Sequence, residues 1–332
     1  MPASKVPTIV REKIFAVGAD TNGTAPDSIA LGNNGTVFAE YGNGVPSDGT
    51  GGGSTIVEYS GSGAILNTFS FVGSDDGLKV DPVTGKLWVL QNQDGNSTLT
   101  VVNPVTGQTT GPLSYAAQSA TQGYDDVAFT GGKVYMSHTN PAAPTDSVVV
   151  QLDNGNNPTG RLKTTAILRQ GDTGTNLVTG ETNQPLPVSD PDSLKSLADG
   201  TLVLTSGSDS ALTFIQYPGT DQQTASFIAL PAGSTGLDDA VIPSASSGTF
   251  VVADTKTNDI VKIAVSGLSL NDIYASFAGD NGIVQIDPRT GAVTQLATGI
   301  SSPHGLAFIP AGHAGALSET GAQHITLTPT HG

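Results

Sequence analysis

The chain has no cysteine, a single tryptophan, two methionines, and only 13 lysines and arginines against 29 aspartates and glutamates. Without cysteine there is no disulfide, no thiolate metal ligand and no cysteine nucleophile. The shortage of basic residues leaves a formal net charge of −16, which repels nucleic acid and anionic membrane surfaces and predicts that neither is a partner. No run approaches the roughly 18 apolar residues of a membrane span. The opening Met1-Pro2-Ala3-Ser4-Lys5 has no apolar signal core. No amphipathic helix of useful length can be traced. A Gly-x-Ser-x-Gly nucleophile elbow is missing, as is any motif for haem, flavin or nicotinamide, which argues against a serine hydrolase of that type and against a redox enzyme. The low-lysine, cysteine-free, Thr/Asn/Gly-rich composition fits a bacterial secreted or periplasmic protein better than a cytosolic one.

What the sequence has in quantity is turn residues, with 42 glycines and 20 prolines, and a repeat. Six segments open on Pro26-Asp27, Asp75-Asp76, Asp125-Asp126, Pro191-Asp192, Asp238-Asp239 and Pro303-His304, each leading into a short apolar run. Aligned on that run, Asp27, Asp76, Asp126, Asp192, Asp239 and His304 share one slot, at spacings of 49, 50, 66, 47 and 65 residues. This period, with short strands and turn-rich connections, reads as the blade of a β-propeller. Second strands are expected over 36–39, 87–90, 134–137, 202–205, 250–253 and 273–276, and third strands over 55–59, 99–102, 148–152, 212–215, 260–263 and 283–286. Outer strands are expected over 65–71, 110–115, 164–168, 225–230, 293–297 and 11–17.

The expected architecture is therefore all-β. One six-bladed β-propeller domain, a monomer, fills residues 1–332 with four-stranded blades opening near 26, 75, 125, 191, 238 and 303. Residues 11–17 become an outer strand of the last blade, so strands from the two ends of the chain close the ring and remove its free edges. Too few residues separate 263 from 273 to hold both an outer and an inner strand. Residues 305–309 then fill the inner slot of the sixth blade, and the strand order over 260–310 stays open. Insertions at 141–146 and 171–188, the latter carrying Glu181, and the Gly-rich loop 42–53 are read as loops beside the channel mouth. The Gly-rich loop lacks the Lys-Ser/Thr ending of a phosphate loop. His313, His324 and His331 lie in a Gly/Ala/Thr-rich tail and are given no role.

A ring of carboxylates at one mouth of a channel calls for a cation, because like charges within a few ångströms raise one another's pKa. Hard oxygen ligands select Ca²⁺, Mg²⁺ or Mn²⁺, and flexible carboxylates from several blades suit Ca²⁺ best. The expected ligands are Asp27, Asp76, Asp126, Asp192, Asp239 and His304, with enough acid for more than one ion. Asp75, Asp125 and Asp238 precede ring positions. They join Glu40, Gln91, Asn92 and Asp254, at the ends of second strands, as residues expected to line a cleft. His304, His138 and Asp76 are the candidates for moving protons. Trp88 and Tyr135 are read as core.

The openings Ser74-Asp75-Asp76-Gly77-Leu78, Pro26-Asp27-Ser28-Ile29 and Pro303-His304-Gly305-Leu306 resemble the gluconolactonase/regucalcin and paraoxonase group. That resemblance implies a six-bladed propeller with Ca²⁺ at the top of the channel, held by Glu, Asn and Asp side chains from different blades. There the ion polarises a lactone or ester carbonyl, or the phosphoryl oxygen of an organophosphate. The matching positions here are mostly Asp. The function expected is a metal-dependent hydrolase of lactones, aryl esters or phosphotriesters acting on a small molecule. The alternatives are a non-catalytic binding propeller with a structural metal and a metal-dependent sugar-acid lyase or epimerase.

Overall fold

The computed structural model describes residues 7–312 apart from 118–119, 232–233 and 235, so the tail histidines lie outside the described residues. It is all-β, with six sheets, five of four strands and one of six. The inner strands are Pro26–Leu31, Asp75–Val80, Tyr124–Thr130, Pro191–Ser196, Leu237–Val241 and Pro303–Pro310, which number the blades one to six. No described helix is long and apolar enough to cross a membrane.

In each of the first four blades the four strands from the inner one outward follow chain order, each antiparallel to the last, and blade four carries two further strands at its outer edge. Blades five and six exchange strands. The chain leaves Leu237–Val241 and builds the hairpin Ser247–Asp254 and Asp259–Ser266 in blade six. It then returns to lay down Ile273–Phe277, Gly282–Ile286 and Val293–Thr298 in blade five, and ends on the inner strand of blade six. The 250–253 and 273–276 runs thus sit in the opposite blades from a simple chain-order reading. The N-terminal strand Thr8–Val17 pairs with Asp259–Ser266, so the two terminal strands form opposite edges of one sheet with the hairpin between them. Closure works through that shared sheet rather than through direct pairing of the two ends.

The insertion at 171–188 does not extend over the mouth. Its strands Thr173–Asn176 and Gln184–Pro185 add to the outer edge of blade four, where Thr175 and Asn176 pair in parallel with Ser226 and Phe227.

Apolar side chains fill the seams between blades, one cluster per seam. Ala30, Phe38 and Ile56 of blade one meet Leu78, Val80, Leu87 and Val89 of blade two. Trp88 closes the next seam, fully buried, with its ring edge-on to Phe129 at 5.2 Å. Burial on this scale contributes on the order of 1.5–3 kcal/mol for each large side chain. The innermost strands converge so closely that two carry glycine for want of room. A Cβ on Gly305 would lie 2.3 Å from the Asp27 carbonyl oxygen and 2.8 Å from the Ile29 nitrogen. Backbone cannot yield as a flexible side chain does, so Gly305→Ala is expected to cost about 1–3 kcal/mol through forced strand separation. Denaturant unfolding checks this; an unchanged midpoint would contradict the packing described.

Candidate metal centre at the channel mouth

Every inner strand carries the same irregularity at its start. In blade one Pro26 pairs with Tyr41 and the next pair is Ile29 with Ala39, so the inner strand spends one residue more than its partner. The same shift separates Asp75 from Leu78, Tyr124 from Val127, Pro191 from Leu194, Leu237 from Ala240 and Pro303 from Leu306. This is a β-bulge, a device that bends a strand and re-aims its side chains. Counting from the pairs that flank it, the equivalent mouth positions are Asp27, Asp76, Asp125, Asp192, Asp238 and His304. The residues after them, Ser28, Gly77, Asp126, Ser193, Asp239 and Gly305, form a second equivalent set.

The expected ring therefore needs correction at two places, where Asp125 and Asp238 take the slots expected for Asp126 and Asp239. Those two aspartates tie blades together instead. Asp126 accepts the Val127 amide at 2.7 Å with one oxygen and the Leu194 amide of blade four at 2.9 Å with the other. Lys79 of blade two approaches it at 3.5 Å. Asp239 repeats the arrangement two blades on, accepting the Ala240 and Leu306 amides at 2.7 and 2.8 Å and pairing with Lys195 at 2.8 Å. The two inner-strand lysines are thereby committed to the next blade's second aspartate.

At the mouth, His304 Nδ1 lies 3.0 Å from Asp27 Oδ1 and 3.3 Å from Asp238 Oδ1, and Nε2 is 3.3 Å from Ser302 Oγ. One ligand atom from each of Asp27, Asp238 and His304 falls within 4.8 Å of the others, a spacing that suits one cation. Burial pulls the imidazole's pKa down, but its bonds to Asp238 and Asp27 outweigh that and lift it to about 11. Burial raises Asp238 to about 6 against the pull of His304. Across the ring, burial and then the charges of neighbouring aspartates hold Asp76, Asp125 and Asp192 well above the usual carboxylate range. A single imidazolium cannot neutralise five carboxyls, so the ring is short of positive charge. Those donors, mostly hard oxygens with one imidazole nitrogen, fit Ca²⁺, Mg²⁺ or Mn²⁺.

Above the ring opens a cavity of about 300 Å³. Eight aspartates and one histidine line it, with no lysine or arginine among the described residues, and Pro191 is its one apolar side chain. Its rim includes residues that the sequence reading passed over. Asn140 Nδ2 donates to Asp94 Oδ1 at 2.6 Å, and Thr139 Oγ1 donates to the Gln93 carbonyl at 2.7 Å, joining the loops that follow the second strands of blades two and three. The turn pairs Asp94-Gly95 and Asn140-Pro141 were the available signal.

Several expected cleft residues lie elsewhere. His138 faces a separate cavity of about 150 Å³ with Tyr115, Tyr124 and Gln122, and its ring packs edge-on to Tyr124 at 5.1 Å. It is not among the residues lining the mouth cavity, which leaves proton transfer there to other groups. Asp254 accepts the Ser301, Ser302 and Thr257 amides and so braces the turn entering blade six. Gln91 donates to the Val72 carbonyl and accepts from Thr100, while Asn92 accepts the Ser74 amide. Glu40 and Asp75 are buried beside the ring rather than lining the cavity.

Comparison with known proteins places the fold and no more. The chain matches no protein-family model and no curated protein. Among solved structures it is similar to a chain of a nidogen/laminin complex (TM-score 0.54, 10% identity, 86% of each chain covered). It is also similar to virginiamycin B lyase from Staphylococcus aureus (TM-score 0.51, 12% identity, 90% of this chain and 95% of that one). A third match is a protein of unknown function from Bacteroides caccae (TM-score 0.50, 13% identity, 86% of each). These likenesses carry the propeller fold, and the resemblance to the gluconolactonase and paraoxonase group rests on the short motifs alone.

Proposed function

We propose that the mouth binds a divalent cation, most simply Ca²⁺, and that the protein is a metal-dependent hydrolase of a small polar lactone or related neutral ester. The observation that carries this is the convergence of Asp27, Asp238 and His304 within 4.8 Å at the floor of an open polar cavity. A bound ion would supply Lewis-acid polarisation of a carbonyl or phosphoryl oxygen and a more acidic water. Asp27, Asp238 and His304 would hold it. Asp76, Asp125 and Asp192 face them across the channel, and carboxyls held well above the usual carboxylate range suit exchange of a proton with water. Without an ion His304 is an imidazolium clamped by two carboxylates, so it must release its proton before a ring nitrogen can ligate the ion, and it serves as ligand rather than as the base.

The lining also ranks the substrates. Aryl esters would find only Pro191 to pack against, whereas a hydroxylated ring would find hydrogen-bonding groups on every side. Acidic sugars would meet eight aspartates, which argues against the lyase or epimerase reading.

The test is turnover and bound metal on one sample, across lactones, aryl esters and a phosphotriester. Activity is expected to vanish on chelation, return with Ca²⁺, and be highest on hydroxylated lactones. Tightly bound metal without turnover on any of them would overturn the hydrolase and leave a binding propeller.

A further inference from the structure

Two buried carboxyls stand out from their equivalents in the other blades. Asp75 occupies the position held elsewhere by Pro26, Tyr124, Pro191, Leu237 and Pro303. Glu40 occupies the position of Leu90, Ser137, Thr205, Ser276 and Ala253, all uncharged. Both exceptions fall on one seam. Glu40 pairs with Ile56, and Ile56 packs among Leu78, Val80 and Leu87, so this face of blade one looks onto blade two. Ser54, on the same face, accepts the Asp75 amide at 2.7 Å. The acidic groups acting on Glu40 are accordingly Asp27, Asp75 and Asp76.

Glu40 is 1% exposed and Asp75 3%, yet none of their four carboxylate oxygens has a hydrogen-bond partner. Ser54 and Gln91 lie close enough to pull the Asp75 carboxyl down somewhat against burial, but neither meets hydrogen-bond geometry to its oxygens. Ser54 gives its proton to the Gly73 carbonyl, and Gln91 donates to the Val72 carbonyl. Leaving four buried carboxyl oxygens unpaired costs several kcal/mol by ordinary accounting, so the arrangement asks for a ligand.

We propose that Glu40 and Asp75 form a second, interior cation site in the seam between blades one and two, beside the mouth and distinct from the Asp27–Asp238–His304 centre. Its donors are carboxylate oxygens, which select a hard divalent ion of the Ca²⁺, Mg²⁺ or Mn²⁺ class. The ion would bridge the seam by binding one carboxylate from each blade.

Equilibrium dialysis against Ca²⁺, and separately Mn²⁺, with bound metal counted per chain, tests this on four proteins. Wild type is expected to hold one ion more than Glu40→Gln and one more than Asp75→Asn. Asp238→Asn, altered only at the mouth, is expected to keep the interior ion. Equal counts in wild type, Glu40→Gln and Asp75→Asn would overturn the interior site. A full count in Asp238→Asn would instead overturn the mouth site, so the two readings fail separately. Both seam substitutions are near-isosteric and remove a carboxylate ligand; if one fails to fold, the other gives the same comparison.

Discussion

Asp239→Ala is expected to destabilise the protein by about 3–5 kcal/mol, the range for removing one partner of a buried ion pair. Its neighbour Asp238→Asn should leave stability within about 1 kcal/mol while weakening cation binding by at least about 100-fold, the scale on which even outer-shell partners act. The contrast follows from the bulge. Asp239 is 3% exposed and fills both of its oxygens, one with the Ala240 amide and the other with the Leu306 amide and Lys195. Truncation strands an ammonium and two backbone donors on the seam between blades five and six. Asp238 points into the mouth, where an amide oxygen still accepts from His304 but no longer brings charge to an ion. The corresponding pair in blade three is Asp126 and Asp125, where Asp126→Ala strands the Leu194 amide and takes an ion-pair partner from Lys79. Denaturant unfolding and calorimetric Ca²⁺ titration on both members of a pair would decide it. Loss of metal binding in a folded Asp239→Ala, with Asp238→Asn unaffected, would reverse the assignment.

The same bulge explains how much of the site was legible in the sequence. The repeat, the blade count and the outer strands follow from turn residues and apolar runs, which respond to local chemistry. A propeller could thus be read without any structure. The choice between Asp125 and Asp126, or Asp238 and Asp239, could not. Alternation along a strand normally tells which side chain faces which way, and one extra residue breaks it at the point where the acids sit. In blades one, four and six a proline precedes the mouth residue and a serine or glycine follows it, so the sequence offers no rival acid. In blade two Gly77 after Asp76 settles the register, because a side chain there would collide with the Asp125 carbonyl.

The exchange between blades five and six was illegible for another reason. The 250–253 and 273–276 runs are interchangeable as local β signals, and only non-local pairing assigns one to each blade. Glu40 was visible as an acid at a strand end, but its burial against blade two depends on the neighbouring sheet. Gln93, Asp94 and Asn140 were passed over because turn residues are so common in this chain.

The second large effect is on the pH dependence of stability. In EDTA the protein is expected to become less stable as pH rises from about 5 to 8, opposite to the usual behaviour of proteins whose carboxylates are paired. Burial holds Asp75 at about 8 and Asp238 at about 6, and it keeps Glu40, Asp76, Asp125 and Asp192 well above the usual carboxylate range. In the unfolded chain these groups ionise near pH 4. Between that pH and their folded values, the folded state binds more protons than the unfolded one, so raising pH favours unfolding. His304 adds to the same slope. Lifted to about 11, it keeps its proton while the unfolded histidine loses its own above roughly pH 6.5, so its contribution also fades as pH rises. Each proton retained only by the folded state contributes about 1.4 kcal/mol per pH unit. Solvent in the open mouth screens the half-buried ring, so Glu40 and Asp75 should supply a disproportionate share. Ca²⁺ must displace these protons to bind, and its stabilising effect therefore grows with pH. Urea unfolding at pH 5, 6.5 and 8, with EDTA and with saturating Ca²⁺, reads both arms. The expected result is a falling line in EDTA and a flat or rising one in Ca²⁺. Stability that rises with pH in EDTA would mean that the carboxyls find counter-charges within the protein and that neither cation site exists.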